Sequence, residues 1–541
     1  MIGDLNAVGA LAVQSSKFSG QDWASETPTS ACGWPANTIP GVTALADPAA
    51  TMPSTEASTE SRASYDVSNV VNIQSKISED LGDIELLAWI SLSYSLAVWA
   101  VLSYARKILQ CFSVRVLYLV HLVLFAAGAL VAGSAKSIAF IIAGRSIMGL
   151  AGAVILQANA SYIVVFSRDG ESTILMALSS VAWAVGLAVG GPLGSAFTDW
   201  RWAFYLIVPL ILCAVVLAAP CLPAYEFYPT HSSLSSRLAR LDLLGIFFNA
   251  AVPVLFAISV TFPSAIWAWG SGQSVAFWML SAFGLVCWTT QQHLCMLTTA
   301  SSRALPLHML VRLKFVPVWV ASACAGVSYA VTLTYMPLFF AFVRGSSPLR
   351  QAIKQLPFTI VFILTLLLTG RFLPRLRYYK LIYIVGGAVT VAGSAAMVAV
   401  LSRSDVSDST VLGIQALLGF GLGLQFQHGI GICSTISKDQ EEKVNSIIFC
   451  NLALFGGIAT TLAIAGSIFQ NLGYHLLVNA IGNGSFSKED IREALAGSAS
   501  VVWKEPKAMQ RAVAIVATVI AREFYLSLAA GILCLLCGLV M

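Results

Sequence analysis

Long apolar segments separated by short polar connections occupy most of the chain after residue 85. Each segment contains roughly 20 residues, which is the length of an α-helix that crosses a bilayer. Thirteen segments follow this pattern, at residues 86–104, 116–134, 138–159, 174–197, 202–222, 243–262, 274–293, 315–340, 356–373, 381–401, 411–433, 446–469 and 523–541. The pattern predicts an all-α polytopic protein embedded in the lipid bilayer.

The N-terminal region breaks this pattern. Residues 1–85 are rich in Ser, Thr, Ala and Pro, and they lack the basic-then-apolar order of a signal peptide. We expect them to form a polar, largely disordered tail.

Composition supports the membrane assignment. Only 11% of the 541 residues are charged, 57% are hydrophobic, and the mean hydropathy is +0.79. Soluble globular proteins carry roughly 25% charged residues. The net charge of +5 is small and is carried by short loops, so no nucleic-acid partner is expected.

Loop charges predict the orientation. The loops after the segments that start at residues 86, 138, 202, 274, 356 and 411 carry fifteen Lys and Arg residues. The opposite short loops carry six. An excess of basic residues marks the cytoplasmic side. Residues 470–522 are therefore expected to form an extracellular loop, in which Asn483 heads a glycosylation sequon.

One arginine interrupts the apolar segment "IIAGRSIMGLAGAVI" at residues 141–155. Arg145 lies more than two helical turns from the loop at Lys136, too far to reach the surface easily. A charged residue at mid-membrane costs roughly 2.5–3.5 kcal/mol on insertion scales. Such a residue usually faces a bundle interior or a watery cavity and has a partner there.

Other polar side chains within the apolar segments are candidates for the same cavity. Gln157 and Asn159 follow Arg145 on its segment, Gln425 and Gln427 lie on a later one, and Asn451 lies on the next. His428 is the one histidine deep in an apolar segment. It either takes part in proton handling, since histidine titrates near neutral pH, or hydrogen-bonds a neighbouring helix.

The segment "WAVGLAVGGPLGSAF" at 183–197 carries a glycine face. Gly186, Gly190 and Gly194 recur every four residues, with Gly191 and Pro192 between them. Small residues allow two membrane helices to approach closely, and a proline weakens the helix that contains it. The segment is therefore predicted to form a tight helix crossing.

Several of these motifs together resemble the fourteen-span drug:proton antiporters of the major facilitator superfamily. The likeness rests on "IIAGRSIMGLAGA", on the glycine segment, and on "DWRWAFYLIVP" at 199–209. It extends to "RLARLDLLG" at 237–245, "YMPLFFAFVRGSSPL" at 335–349, "LPFTI" at 356–360 and "GFGLGLQFQ" at 419–427. It covers about residues 66–541 and is greatest for fungal efflux pumps of toxins and other secondary metabolites.

The resemblance implies a major facilitator fold of two six-helix bundles plus two additional helices. It implies a proton-coupling or cavity role for Arg145 and a conformational gate at Gly186, Gly190, Gly191, Pro192 and Gly194. The chain is then divided into a tail at 1–85, an N-terminal helical bundle at 86–222, a linking loop with two extra spans at 223–293, a C-terminal helical bundle at 294–469, the extracellular loop at 470–522 and a last span at 523–541.

Two stretches depart from the family pattern. In "RKILQCFSVR" at 106–115, Arg106, Gln110 and Ser113 replace the Gly, Asp and Gly of a characteristic turn. The stretch at 66–82 resembles the end of the family's first span, with Asp66 at the position of its intramembrane acid, but its upstream sequence is polar. Either this first helix is degenerate or missing, or the sequence reflects a faulty gene model.

The resemblance implies an efflux transporter that exports a hydrophobic small molecule by proton antiport with alternating access. An inactive or truncated relative is the alternative, because of the defective first span. This transporter would have no nucleotide site, and no GxxxxGK[ST] loop is present. A membrane enzyme is disfavoured, since the six histidines are scattered singly, with no HExxH pattern. Neither a cofactor nor a metal is expected. The chain is expected to act as a monomer in the plasma membrane, with a vacuolar or vesicle membrane as the alternative.

Overall fold

The structure, a computed structural model, shows a helical protein. It describes residues 48–82, 84–166, 171–224, 241–263, 266–299, 305, 307–373, 379–403, 406–437, 440–481, 487–496 and 506–541.

Fourteen long helices organise these described residues. They are α1 (Pro48–Leu81), α2 (Leu87–Cys111), α3 (Val114–Gly133), α4 (Ile138–Phe166), α5 (Glu171–Ala196), α6 (Arg201–Cys221, two short helices in succession), α7 (Leu243–Thr261), α8 (Gly272–Leu294), α9 (Val316–Phe342), α10 (Pro348–Phe372), α11 (Lys380–Leu401), α12 (Asp408–Gln425), α13 (Gln440–Ile481) and α14 (Pro506–Val540). Shorter helices occur at Leu307–Val311, His428–Ile436 and Lys488–Ala496. Eleven spans in this part of the chain are long and apolar enough to cross a membrane.

The helices form two six-helix bundles. Helices α1 to α6 pack as the N-terminal bundle and α9 to α14 as the C-terminal bundle, while α7 and α8 pack on each other beside α2 and α13. The bundles meet mainly where α2 contacts α13 and α5 contacts α10. This arrangement confirms the predicted fold, with two additional helices between the bundles.

Helix α1 corrects the expectation of a disordered tail through residue 85. Residues 48–81 form one helix that packs mainly on α5. Several of its polar side chains donate hydrogen bonds inside the bundle: Asn69 Nδ2 donates to the Ala203 carbonyl at 3.3 Å, Gln74 Nε2 donates to Ser91 Oγ at 2.6 Å, and Lys76 Nζ donates to the Phe197 carbonyl at 2.8 Å. The first span is therefore degenerate in composition but present as a helix.

The prediction of a loop over residues 470–522 is also wrong for most of its described part. Helix α13 continues to Ile481, α14 already begins at Pro506, and a further helix occupies Lys488–Ala496. Apolar residues of these helices pack together, including Leu477, Ile491, Leu495 and Ala512. This burial stabilises helices that extend past the predicted ends of the spans. The predicted sequon at Asn483 lies outside the described residues.

The segment predicted as one span at 411–433 is two helices. Helix α12 ends at Gln425, and Gln427 adopts a left-handed backbone conformation with a φ of 59° before the helix His428–Ile436 begins. An L-residue other than glycine rarely takes this conformation, so the break is a fixed feature of the segment. It turns the backbone where the chain reaches the centre of the molecule.

Candidate functional site

Arg145 and Asp66 form an ion pair between α4 and α1. Arg145 Nη1 lies 2.8 Å from Asp66 Oδ2 and 3.0 Å from Asp66 Oδ1, and Arg145 Nε donates to the Ile90 carbonyl at 2.5 Å. The side chains of Arg145 and Asp66 are 2% and 0% exposed. The guanidinium also lies 5.4 Å from the centroid of the Tyr94 ring. The arginine singled out by the sequence is thus charge-paired with the acid on the polar first helix.

A cavity of about 180 Å³ adjoins this ion pair at the interface between the bundles. Arg145 lies in its wall, and both bundles contribute to it. The residues that line the cavity are Val67, Val71, Ser91, Tyr94, Ser95, Arg145, Leu156, Ala160, Ile163, Trp183, Tyr329, Ala330, Leu333, Thr334, Leu366, Phe426, Gln427, Ile430, Ile447, Asn451, Leu454, Phe455, Ile458 and Leu462. The wall is mostly apolar with a few polar groups, as is usual for a small-molecule site.

Aromatic rings form one side of the cavity and connect the bundles. Trp183 of α5 stacks on Phe426 with ring centroids 5.9 Å apart, and Tyr329 of α9 lies 5.3 Å from Phe426. Phe362 of α10 meets Phe426 edge to face at 5.2 Å. Phe426 directly precedes the left-handed Gln427, so the helix break presents this ring to the cavity.

Two polar atoms of residues in the cavity wall lack a hydrogen-bond partner among the described residues. Tyr329 Oη and Asn451 Oδ1 are both buried without a hydrogen-bond partner in the described part of the chain. A buried polar atom that lacks a partner costs roughly 1–3 kcal/mol. A ligand with a matching hydroxyl or carbonyl group would recover part of this free energy.

The predicted cavity residues divide into two groups. Gln427 and Asn451 line the central cavity, as expected for candidate contacts. Gln157 is buried within α4 outside that wall, and Asn159 lines a separate cavity of about 60 Å³ beside it. At 3.6 residues per turn, Gln157 projects roughly 120° around α4 from Arg145, whereas Asn159 lies within about 40° of the Arg145 face but further along the helix.

Gln425 and His428 also lie away from the central cavity. Gln425 Nε2 donates to Thr390 Oγ1 at 3.0 Å, which ties α12 to α11. The His428 ring nitrogen Nε2 lies 3.1 Å from the Gly423 carbonyl, and the side chain is buried. Phe426 and Gln427, which lie between these two residues in the sequence, line the cavity. The contact of His428 with Gly423 is a local hydrogen bond across the helix break. A role of His428 in proton handling stays a prediction.

The glycine face of α5 receives helix α1. A Cβ atom added at Gly190 would lie 2.5 Å from the Tyr65 carbonyl oxygen, and one added at Gly194 would lie 1.6 Å from Asn69 Oδ1. The Gly191 N–H donates to Ser68 Oγ at 3.1 Å, and Pro192 lies inside α5 without ending it. Gly186 is buried on the same helix. The predicted close crossing therefore holds α1, and with it Asp66, against α5.

The sequence did not single out Tyr94, Trp183, Tyr329 or Phe426. Aromatic residues in apolar segments usually pack in the core, so their type alone gives no signal. Sequence position gives a signal for two of these residues. Trp183 begins the glycine segment at 183–197, and Phe426 lies between Gln425 and Gln427.

Comparison with known proteins agrees with this arrangement. The family model of the Major Facilitator Superfamily matches residues 61–461. The efflux pump patC of Aspergillus clavatus is 29% identical over 474 residues, which cover 86% of this chain and 85% of that protein. The MFS-type transporter patC of Penicillium expansum is 27% identical, with 86% of each chain covered. The efflux pump alnA of Emericella nidulans is 28% identical, with 87% and 86% covered.

Solved structures share the helical architecture. A D-xylose-proton symporter matches with a TM-score of 0.57 at 12% identity, over 85% of this chain and 98% of that one. A bacterial homolog of the human lysosomal transporter Spinster matches with a TM-score of 0.58 at 10% identity, over 91% and 97%. At these identities the likeness concerns the fold alone.

Proposed function

The chain belongs to the Major Facilitator Superfamily, and we propose that it is an efflux transporter that exports a hydrophobic small molecule by proton antiport. The observation that carries the proposal is the cavity between the two bundles, with the buried Asp66–Arg145 ion pair at its wall. Its relatives named as efflux pumps support the direction of transport.

The substrate class follows from the cavity wall. Trp183, Tyr329 and Phe426 offer ring faces, and aromatic rings pair favourably with other rings at centroid separations of about 4.5–7 Å. Tyr329 Oη and Asn451 Oδ1 add a hydrogen-bond donor and an acceptor. Arg145 is already paired with Asp66, so the wall carries little net charge. These features favour a neutral aromatic secondary metabolite, toxin or drug with a hydroxyl or carbonyl group.

Proton coupling acts through the Asp66–Arg145 pair. When Asp66 takes a proton, its attraction for Arg145 weakens, and the guanidinium becomes free to interact with the cavity contents. Deprotonation of Asp66 restores the pair and removes that interaction. Because α1 packs closely on the glycine face of α5, a change at Asp66 is transmitted to α5, which contacts the C-terminal bundle through α10.

The remaining assignments concern the setting of the transporter. It is a multi-pass membrane protein. We propose the plasma membrane as its location over a vacuolar or vesicle membrane, a monomer as its working form and glycosylation at Asn483. The paired Asp66 and Arg145 favour a working transporter over an inactive relative, because the polar first helix supplies the acid that the arginine needs.

The test uses inverted plasma-membrane vesicles from a yeast strain that lacks its own drug pumps and expresses the full chain. Vesicles with an acidic lumen should accumulate Nile red, a neutral aromatic dye with a carbonyl group. A protonophore should abolish the accumulation, and Asp66→Asn vesicles should show none at equal protein abundance. Accumulation that a protonophore leaves intact would contradict antiport. Accumulation no greater than in vesicles without the protein, across a panel of neutral aromatic compounds, would contradict export of this class.

A further inference from the structure

Glu523 lies at the centre of the C-terminal bundle, on α14, and is 0% exposed. Neither carboxyl oxygen has a hydrogen-bond partner within the described ranges. Val519, Ile520 and Phe524, which flank it on α14, belong to the apolar core. The proposed transport cycle has so far given this acid no role.

Few titratable groups face Glu523 from the helices packed on α14. Tyr335 of α9 is close enough to interact with it electrostatically. On α11, Ser394 Oγ donates to Ser527 Oγ at 2.9 Å, and Ser527 lies one turn further along α14 than Glu523. On α13, His475 is exposed, as is the neighbouring Arg522 of α14. In the part of the chain that the structure describes, Glu523 therefore has no cationic partner.

Each of the other buried acids among the described residues has a side-chain partner. Asp66 meets Arg145, Glu442 meets Arg312, and Asp242 accepts hydrogen bonds from Gln291 and Gln292. A carboxylate buried in apolar surroundings without such a partner carries a large desolvation cost, which binding a proton removes. Glu523 differs from these acids in having neither a cation nor a hydrogen-bond donor at its carboxyl group among the described residues, and binding a proton would remove its charge.

A small chamber with a mostly apolar wall lies between Tyr335 and the central cavity. The chamber has a volume of about 30 Å³ and is lined by Tyr335 together with Gln74, Ser91, Thr334 and other residues. Ser91 and Thr334 also line the central cavity, so the two spaces adjoin. A void of this size with several polar groups in its wall has room for a water molecule.

We propose that Glu523 is a second proton-binding residue, which exchanges its proton with the central cavity through the chamber at Tyr335. On release, the proton leaves the carboxyl group for a chamber water and passes from there to the cavity; on uptake it follows the reverse path. Each bundle then holds one proton-binding acid, Asp66 in the N-terminal bundle and Glu523 in the C-terminal bundle. The use of this proton in transport rests on the proposed antiport, whereas its binding to Glu523 does not.

A fluorescent, membrane-permeant carbodiimide tests proton binding without any substrate. A carbodiimide adds to a protonated carboxyl group and leaves a stable N-acylurea, so the label reports the protonated form in apolar surroundings. The purified full chain is labelled in detergent between about pH 6 and about pH 9 and digested, and the peptide that carries residue 523 is quantified by mass spectrometry. Glu523→Gln is the matched control, because it preserves the shape of the protonated side chain.

The label is expected on Glu523 and is expected to be lost completely in Glu523→Gln, at an unchanged melting temperature. Its yield should decrease with rising pH, by up to about tenfold per pH unit above the midpoint. Tyr335→Phe should shift that midpoint, because Tyr335 interacts electrostatically with the carboxyl group. The proposal would be overturned if Glu523 stays unlabelled at every pH, or if the yield of labelled Glu523 does not change with pH.

A transport measurement separates this inference from the proposed function. In the vesicle assay, Glu523→Gln should reduce the pH-driven accumulation of Nile red while Glu523→Asp retains part of it. Labelling of Glu523 in a protein that moves no compound of the panel would leave the proton site standing and remove the antiport proposal. Labelling together with wild-type transport by Glu523→Gln would show that the proton has no part in coupling, and would overturn the exchange with the cavity.

Discussion

Arg145 of α4 donates to both carboxylate oxygens of Asp66 of α1, across 79 positions of sequence and with both side chains buried. Removing one member of a buried pair leaves an uncompensated charge and typically costs about 3–5 kcal/mol. We therefore expect Asp66→Asn and Arg145→Gln each to destabilise the protein by about this amount, and the double variant by less than the sum. These three variants and the wild type form a double-mutant cycle. Denaturant unfolding of the purified proteins in detergent measures the free energy of unfolding of each.

A partly exposed ion pair provides the control for this double-mutant cycle. Arg201 pairs with Asp80 at 2.9 Å, but both side chains are partly exposed. Surface pairs contribute only about 0–1 kcal/mol. Arg201→Gln should therefore change stability little, and additive effects of Asp66→Asn and Arg145→Gln would show that the buried pair is not coupled.

Arg145→Lys separates charge from geometry. Lysine keeps the positive charge, but it cannot reach Asp66 and the Ile90 carbonyl together as the planar guanidinium does. We expect this variant to fold at nearly wild-type abundance and to lose most of its vesicle transport. Transport equal to wild type would mean that a single positive charge suffices at this position.

Gly190 tests the close approach of α5 to α1. An alanine Cβ at this position would lie 2.5 Å from the backbone oxygen of Tyr65, which cannot move without shifting α1. Overpacking of this kind typically costs about 1–3 kcal/mol. Gly413→Ala is the matched control, because its Cβ would meet nothing within 4 Å. We expect a lower melting temperature for Gly190→Ala and an unchanged or higher one for Gly413→Ala; the reverse order would contradict the packing.

The ring pair of Trp183 and Phe426 should govern what the cavity accepts. Trp183→Ala removes the stacking across the bundle interface, whereas Trp183→Phe keeps a ring there. We expect Trp183→Ala to weaken the binding of Nile red and other aromatic compounds by about twofold to tenfold, corresponding to the roughly 0.5–1.5 kcal/mol of an aromatic pair. Fluorescence titration of the purified protein gives the dissociation constants, with an aliphatic compound of similar size as the comparison. An equal loss for both compounds would indicate general collapse of the cavity.

An ion pair also connects the Lys488–Ala496 helix with the start of α2. Arg492 Nη1 lies 3.1 Å from Glu85 Oε1, and both side chains are about one-third exposed or less. Glu85→Arg should increase hydrogen exchange in the Lys488–Ala496 segment, and the reversed pair Glu85→Arg/Arg492→Glu should restore it. Lys507→Ala, a change at an exposed position, is expected to have no effect. Failure of the reversed pair to restore protection would assign the effect to something other than the contact.

The sequence predicted the residues whose chemistry conflicts with their surroundings. Arg145 was evident because a cation in an apolar segment needs a partner, and the resemblance to antiporters supplied Asp66. Hydropathy fails for helix α1 because it counts polar side chains such as Asn69 and Gln74 as exposed, while both donate hydrogen bonds inside the bundle. Glu523 was overlooked because it stood at the predicted end of a span, where an acid is unremarkable. Helix α14 in fact begins at Pro506, which places that acid in the interior.

The polarity of α1 also constrains how the protein is made. Asp66, Asn69, Asn72 and Gln74 disfavour insertion of this segment into lipid on its own. Their partners lie on helices synthesised later: Arg145 on α4 and the Ala203 carbonyl on α6. Helix α1 is therefore expected to enter the membrane only after the ribosome has passed residue 203. The first helix of the N-terminal bundle would then insert after the later helices of the same bundle. Until those partners are synthesised, α1 is expected to stay outside the hydrocarbon core of the membrane.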